Sequence, residues 1–174
     1  LEKKLFPSIA EEVISFDKEL SVIIVRDKEG NIKTFEPGEN VHESGILSTT
    51  TLPSSTSEVL KNDAVTIARK IVANLDYIGV MGVEFFLKEN ALYVNEIAPR
   101  VHNSGHWTMD GSYSSQFQQH IRAIMDLPLL STERHSDIIM YNLIGKVTSN
   151  LAKNELAKVY VYGKKESRPG RKMG

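Results

Sequence analysis

The sequence predicts an α+β fold built on antiparallel hairpins, and three observations carry that reading. LSVIIVR (Leu20 to Arg26) is rich in β-branched residues and is turned back by Asp27-Lys28-Glu29-Gly30-Asn31 into Ile32 to Phe35. GVMGVEFFL (Gly79 to Leu87) and ALYVNEIA (Ala91 to Ala98) flank a turn at Glu89-Asn90. Between these hairpins, Leu60, Ala64, Ile67, Ala68, Ile71 and Leu75 recur at helical period.

The remaining elements follow in order. A short apolar run spans Pro7 to Ile14, broken at Glu11-Glu12. Thr-rich Gly45 to Leu52 reads as a strand ending at Pro53, and Ser54 to Ser57 supply N-cap candidates for the helix that runs to about Leu75. Pro99 to Gly111 is a polar loop. A second helix is expected over Ser112 to Asp126, burying Phe117, Ile121, Ile124 and Met125. After Pro128, IIMYNLIG (Ile138 to Gly145) and KVYVYG (Lys158 to Gly163) read as strands before a basic tail. The expected order is β-β-β-α-β-β-α-β-β.

Composition narrows the function classes. A chain of 174 residues, 41% hydrophobic, can bury one useful core. A net charge of −1 gives no electrostatic reason for a nucleic-acid or anionic-membrane partner. With no Cys, thiolate nucleophiles and zinc–thiolate sites are excluded. No apolar run approaches 18 residues, so a soluble, cytoplasmic protein is expected. Residue 1 is Leu and the sequence stops in Arg171-Lys172-Met173-Gly174, which suggests a fragment.

The chemistry concentrates in the second hairpin. A three-residue loop centred on Asn90 pairs positions that sum to 180, setting Glu84 opposite Glu96. Like charges directly opposite repel, and apolar neighbours raise the cost by desolvation. A shared proton relieves the repulsion, and so does a hard divalent cation: Mg²⁺ typically takes one or two carboxylates plus substrate phosphates. In the blander alternative the register slips by one and one Glu faces solvent. The loop beyond it, Ala98-Pro99-Arg100-Val101-His102-Asn103-Ser104-Gly105-His106-Trp107-Thr108, is dense in donors suited to anion capture. His102 and His106 are four apart, but Pro and Gly argue against a helical zinc pair. His120 and His135 read as helix-surface and loop residues.

NEIAPRVHNSGHWT (Asn95 to Thr108) resembles the signature of the 5-(carboxyamino)imidazole ribonucleotide synthase family of ATP-grasp ligases. EEVISFDKELSVIIVR, NVHESGIL, GVMGVEFF, SQFQQHIRAI, DLPL, MYNLIG and RPGRKMG follow the family's order. The resemblance implies a partial ATP-grasp domain over 1–127 (antiparallel sheet with helices) and a small β-rich C-terminal domain over 128–174, truncated at its end. It implies ATP, Mg²⁺ and bicarbonate as reactants and cofactor, 5-aminoimidazole ribonucleotide as substrate, and a homodimer.

Residue by residue, Glu11, Glu12, Val13 and Ile14 match the hinge that meets adenine and ribose. Glu19, His42, Asn95 and Glu96 match nucleotide contacts, and Glu84 with Glu96 match the magnesium ligands. Arg100 matches the catalytic Arg near bicarbonate and carboxyphosphate. His102, Asn103, Ser104 and His106 would line the ribonucleotide pocket. In the basic tail, Lys164 or Lys165 with Arg171, and Arg168 beside them, would serve the 5′-phosphate. The resemblance also implies that an N-terminal domain and the phosphate-clamping part of the ATP-grasp domain lie outside this chain, which should not turn over alone. The same residues leave open another ATP-grasp carboxylase or ligase, a non-catalytic nucleotide sensor, and a structural β-rich module.

Overall fold

The computed structural model describes residues 9–145 and 155–174; the start of the Pro7 to Ile14 run lies outside them. Seven strands form one sheet: β1 (Lys18–Arg26), β2 (Ile32–Thr34), β3 (Gly38–Glu43), β4 (Ile46–Leu52), β5 (Gly79–Lys88), β6 (Ala91–Ala98) and β7 (Ile138–Tyr141). Their order is β6-β5-β1-β3-β4-β7, with β2 pairing the far half of β1, and every pairing is antiparallel. The helices are α1 (Glu58–Asn74), the single turn α2 (Thr108–Gly111) and α3 (Gln116–Ile124). The α+β expectation holds.

Side-chain alternation divides the two central strands between two cores. Leu20, Val22 and Ile24 of β1, with Met81, Val83 and Phe85 of β5, meet Ala64, Ala68 and Val72 of α1. Ile23, Val25 and Val80 point the other way, toward Phe35, Leu52, Trp107 and Ala123 of α3. Strands buried on both faces read as unbroken apolar runs.

The structure corrects several expectations. Gly38–Glu43 forms a strand that its polar composition concealed, pairing with both β1 and β4. Lys158 to Gly163 belongs to no strand; it bonds the tail irregularly, Tyr162 N–H donating to Met173 O at 2.8 Å. The second helix is shorter than Ser112 to Asp126, because Ser115 caps it in a reciprocal capping box with Gln118. Its buried face is also the opposite one. Ile121 is 55% and Met125 64% exposed, Phe117 and Ile124 are exposed too, and Gln116, Gln119 and Ala123 are buried.

The buried glutamines have work on this face. Gln116 accepts from His102 N–H (2.9 Å) and donates to His102 C=O (2.7 Å). Gln119 does the same for Leu130, donating to its carbonyl at 2.8 Å and accepting from its N–H at 3.3 Å. His120, expected on the surface, accepts from Val80 N–H through Nδ1 at 2.9 Å. Buried backbone groups that no ladder pairs need such partners, Val80 among them because β6 ends opposite Gly82. His135 is exposed, as expected, and packs on Tyr113.

Candidate active site

Glu84 and Glu96 are direct cross-strand partners, but the reason differs from the one read in the sequence. The loop has two residues: Glu89 and Asn90 both have positive φ (48° and 64°), as a type I′ hairpin requires. Pairs near it therefore sum to 179, as in Leu87↔Leu92. Asn95 is then the extra residue of a β-bulge, after which pairs sum to 180 and Glu84 meets Glu96. The bulge restores the pairing that a longer loop would have produced.

Around the pair, the sheet face opposite α1 is polar at its upper end. Glu19 on β1 pairs with His42 on β3, Oε2 to Nδ1 at 2.8 Å. Ser21, across β1 from Glu84, donates to Asn40, as does Thr50. Glu84 is buried and Glu96 half exposed. Burial pushes the Glu84 carboxyl up; His42 and Lys172 oppose this, while Glu96 and Glu19 add to it. Two carboxylates set side by side, one of them buried, fit a divalent cation. Among the described residues no group of three or more His, Asp or Glu gathers. A cation here would complete its shell from substrate and water.

The polar loop folds over this face. Gly82 makes that possible, since a Cβ there would lie 2.7 Å from His102 Cβ. Gly105 likewise sits where a Cβ would be 2.6 Å from Gln116 Oε1. His102 begins a 3₁₀ turn over Asn103–Gly105, and its Nδ1 accepts from Ser104 N–H, with Ser104 Oγ at 2.8 Å. An accepting Nδ1 places the ring proton on Nε2. Burial, with Arg100, Lys172, His106 and His42 as neighbouring cationic groups, pulls the His102 pKa down to about 4. At neutral pH, His102 therefore sits uncharged 3.8 Å from Glu84 Oε1, and the contact is not an ion pair.

Arg100 is exposed, with Nη2 3.8 Å from Glu96 Oε1. Asn103 forms a reciprocal amide pair with Asn142 (2.9 and 2.6 Å), and its Oδ1 also accepts from Lys172 Nζ at 3.1 Å. His106, held below the usual imidazole range by burial and by Lys172, meets the Tyr162 hydroxyl at 3.0 Å. Asn142, Tyr162 and Lys172 were not singled out from the sequence. Lys172 was grouped with a basic tail, although its position right after Arg171 was the available signal. Burial lowers the Lys172 pKa, and Glu84 works against that.

Other expected residues stand further off. Glu11, Glu12 and Val13 are exposed in irregular chain and Ile14 is half-buried. They lead to Phe16, which stacks on Phe86 with ring centroids 4.5 Å apart. Lys164 Nζ donates to Lys172 C=O at 2.6 Å, whereas Lys165 is exposed. Arg168 and Arg171 both bond to Glu166, at 2.6 and 3.0 Å.

Comparisons with known proteins place the chain in a family. The ATP-grasp domain model matches residues 1–117, and the phosphoribosylaminoimidazole carboxylase C-terminal domain model matches 139–174. The chain is 51% identical, over 97% of its length, to the N5-carboxyaminoimidazole ribonucleotide synthase of Brucella melitensis, covering 48% of that protein. The N5-carboxyaminoimidazole ribonucleotide synthetase crystal structure from Thermus thermophilus superposes with a TM-score of 0.89 at 42% identity, over 93% of this chain and 46% of that one. An N5-carboxyaminoimidazole synthase from Aspergillus clavatus, in complex with ADP and 5-aminoimidazole ribonucleotide, gives 0.84 at 38%, over 91% and 46%. The chain spans about half the length of the relatives it matches. No helix among the described residues is long and apolar enough to cross a membrane.

Proposed function

Because the chain belongs to the ATP-grasp family, we propose that the complete polypeptide carboxylates 5-aminoimidazole ribonucleotide on its 5-amino group, using ATP and bicarbonate. The product is N5-carboxyaminoimidazole ribonucleotide, an intermediate of de novo purine synthesis. The observation that carries the reading is the Glu84–Glu96 pair, set by the Asn95 bulge beneath the neutral, buried His102. The ADP and ribonucleotide bound by the Aspergillus clavatus relative support the two substrates.

In this reading a bicarbonate oxygen attacks the γ-phosphorus of ATP, giving carboxyphosphate and ADP. The amine then attacks the carboxyl carbon, loses a proton, and phosphate leaves. Glu84 and Glu96 would hold a magnesium ion, which would supply positive charge to the transferring phosphoryl group. Glu19 and His42, which hold each other, and Asn95 on its bulge would meet the nucleotide. Arg100, exposed beside Glu96, orients bicarbonate and steadies carboxyphosphate. His102, with Nδ1 engaged by Ser104, offers its Nε2–H as a donor without adding charge. Lys164 and Lys172, joined through the Lys172 carbonyl, bring positive charge toward Asn103 and His106, where the ribonucleotide would lie. The irregular hinge Glu11 to Ile14 would order on adenine. A homodimer and a cytoplasmic setting, both implied by the family likeness, complete the reading.

Glu96→Gln tests it. The side chain is half exposed, so the substitution should leave stability within about 0.5 kcal/mol. Bicarbonate- and ribonucleotide-dependent ADP release should nevertheless disappear. Near-normal turnover in that variant would overturn the metal assignment.

A further inference from the structure

We propose that Asp110 is a positioning residue for the ribonucleotide pocket, fixing the register in which residues 158–164 lie against the turn His106 to Asp110. The inference rests on the ribonucleotide reading of Asn103, His106 and Lys164. Asp110 takes one donor on each carboxylate oxygen: Lys158 Nζ reaches Oδ1 at 2.6 Å, and the Tyr160 hydroxyl reaches Oδ2 at 2.9 Å. Two residues on, the Tyr162 hydroxyl lies 3.0 Å from His106 Nδ1, with the two rings edge to face.

The spacing explains the match. Residues 158, 160 and 162 face one way, as in an extended chain that advances roughly 6.6 Å per two residues. His106 and Asp110 are separated by about one helical turn, roughly 5.4 Å. One step of the extended segment therefore spans the distance from Asp110 to His106. A slip of one residue would turn all three side chains away.

The bonds from Tyr162 N–H to Met173 and from Lys164 to Lys172 tie this segment to the tail; the Asp110 bonds tie it to the turn. Residues 155–170 are exposed, so no deeply buried apolar face selects one alignment over another. The carboxylate also holds the Tyr160 phenol above its ordinary range, as expected of a phenol donating to an anion. From Tyr162 the contacts continue into the site. Lys164 Nζ sits over the Tyr162 ring, 5.3 Å from its centroid, and donates to the carbonyl of Lys172, whose own ammonium meets Asn103. Asp110 touches no reacting group in this account. It acts by placing Tyr162, Lys164 and Lys172.

The test compares steady-state kinetics of the complete polypeptide with its Asp110→Asn variant. Asparagine keeps the shape but removes an acceptor and the charge. The KM for 5-aminoimidazole ribonucleotide should rise about tenfold while the KM for ATP and the thermal midpoint stay put. Lys158→Met should move the same KM in the same direction and add little on top of Asp110→Asn, because the two share one interaction. An unchanged ribonucleotide KM, or equal rises in both KM values, overturns the proposal. If the unsubstituted enzyme releases ADP without needing the ribonucleotide, the parent reading falls and takes this one with it. Dependence on the ribonucleotide together with a flat Asp110→Asn response removes the positioning role alone.

Discussion

Helices α1 and α3 pack on opposite faces of the same two strands and do so with different chemistry. Ala64, Ala68 and Val72 of α1 lie against Leu20, Val22, Met81 and Val83, and partly buried Ile67 and Ile71 complete the contact. α3 turns Gln116, Gln119 and Ala123 inward, with His120 half-buried, and leaves Ile121 and Ile124 outside. The difference follows from what each helix covers. Under α1 the strands have already paired their backbone groups, so apolar area alone is needed. α3 covers the loop carrying His102 and the segment carrying Leu130, whose peptide groups lack a ladder. Amide side chains there act as replacement strand edges.

The sharpest way to break the contrast is Gln116→Ala. It orphans the His102 N–H, while the His102 carbonyl keeps Gly105 N–H as a donor at 3.0 Å. At roughly 1–3 kcal/mol for the buried unsatisfied group, plus the void left by a fully buried side chain, the cost should reach about 4 kcal/mol in urea unfolding. A loss under about 1 kcal/mol would mean that the loop holds itself. A second difference is in pH response, because the face under α3 contains a titrating group. The His102 pKa falls from 6.5 to about 4 on folding. The native state therefore binds fewer protons than the unfolded chain between those values. This contribution to stability is intact above pH 6.5 and is lost as pH drops toward 4, amounting to about 3 kcal/mol. Thermal midpoints measured from pH 7 to 4 should fall more steeply for the natural sequence than for His102→Asn.

On the α1 side, Ala68→Leu should cost about 2 kcal/mol by overpacking a fully buried position, with no change in that pH profile. The smallest effect belongs to Ile121→Ser on the outer face of α3, expected within about 0.5 kcal/mol. A loss of several kcal/mol there would show that another surface covers this face in the complete polypeptide.

This contrast also marks how far the sequence could be read. α1 was legible because the face it packs on the strands is apolar, although Leu75, counted on that face, is exposed and Val72 replaces it. α3 was legible as a helix but not in its orientation. Phe117, Ile121, Ile124 and Met125 form a sound apolar stripe, and nothing local says that two glutamines will be recruited by distant backbone. The Glu84–Glu96 pairing was reached by an incorrect loop length, since a bulge leaves no mark beyond one extra residue. The Lys172 contact to Asn103 joins residues 69 apart, a closeness no local pattern encodes.

The bulge makes the site a matter of parity. β6 carries its acidic and amide groups on consecutive residues, and whether Glu84 faces Glu96 depends on a single surplus residue lying between them and the turn. Were the ladder to run on past Val94 without the bulge, every apolar pair near the turn would be preserved, yet Asn95 would stand opposite Glu84 and Glu96 would turn to the other face. Such a conformer would keep the sheet and lose the paired carboxylates. Deleting Asn95, by contrast, would leave Glu84 opposite Glu96 in an unbroken ladder and remove only the amide, so the surplus residue adds a polar group beside the pair without disturbing it.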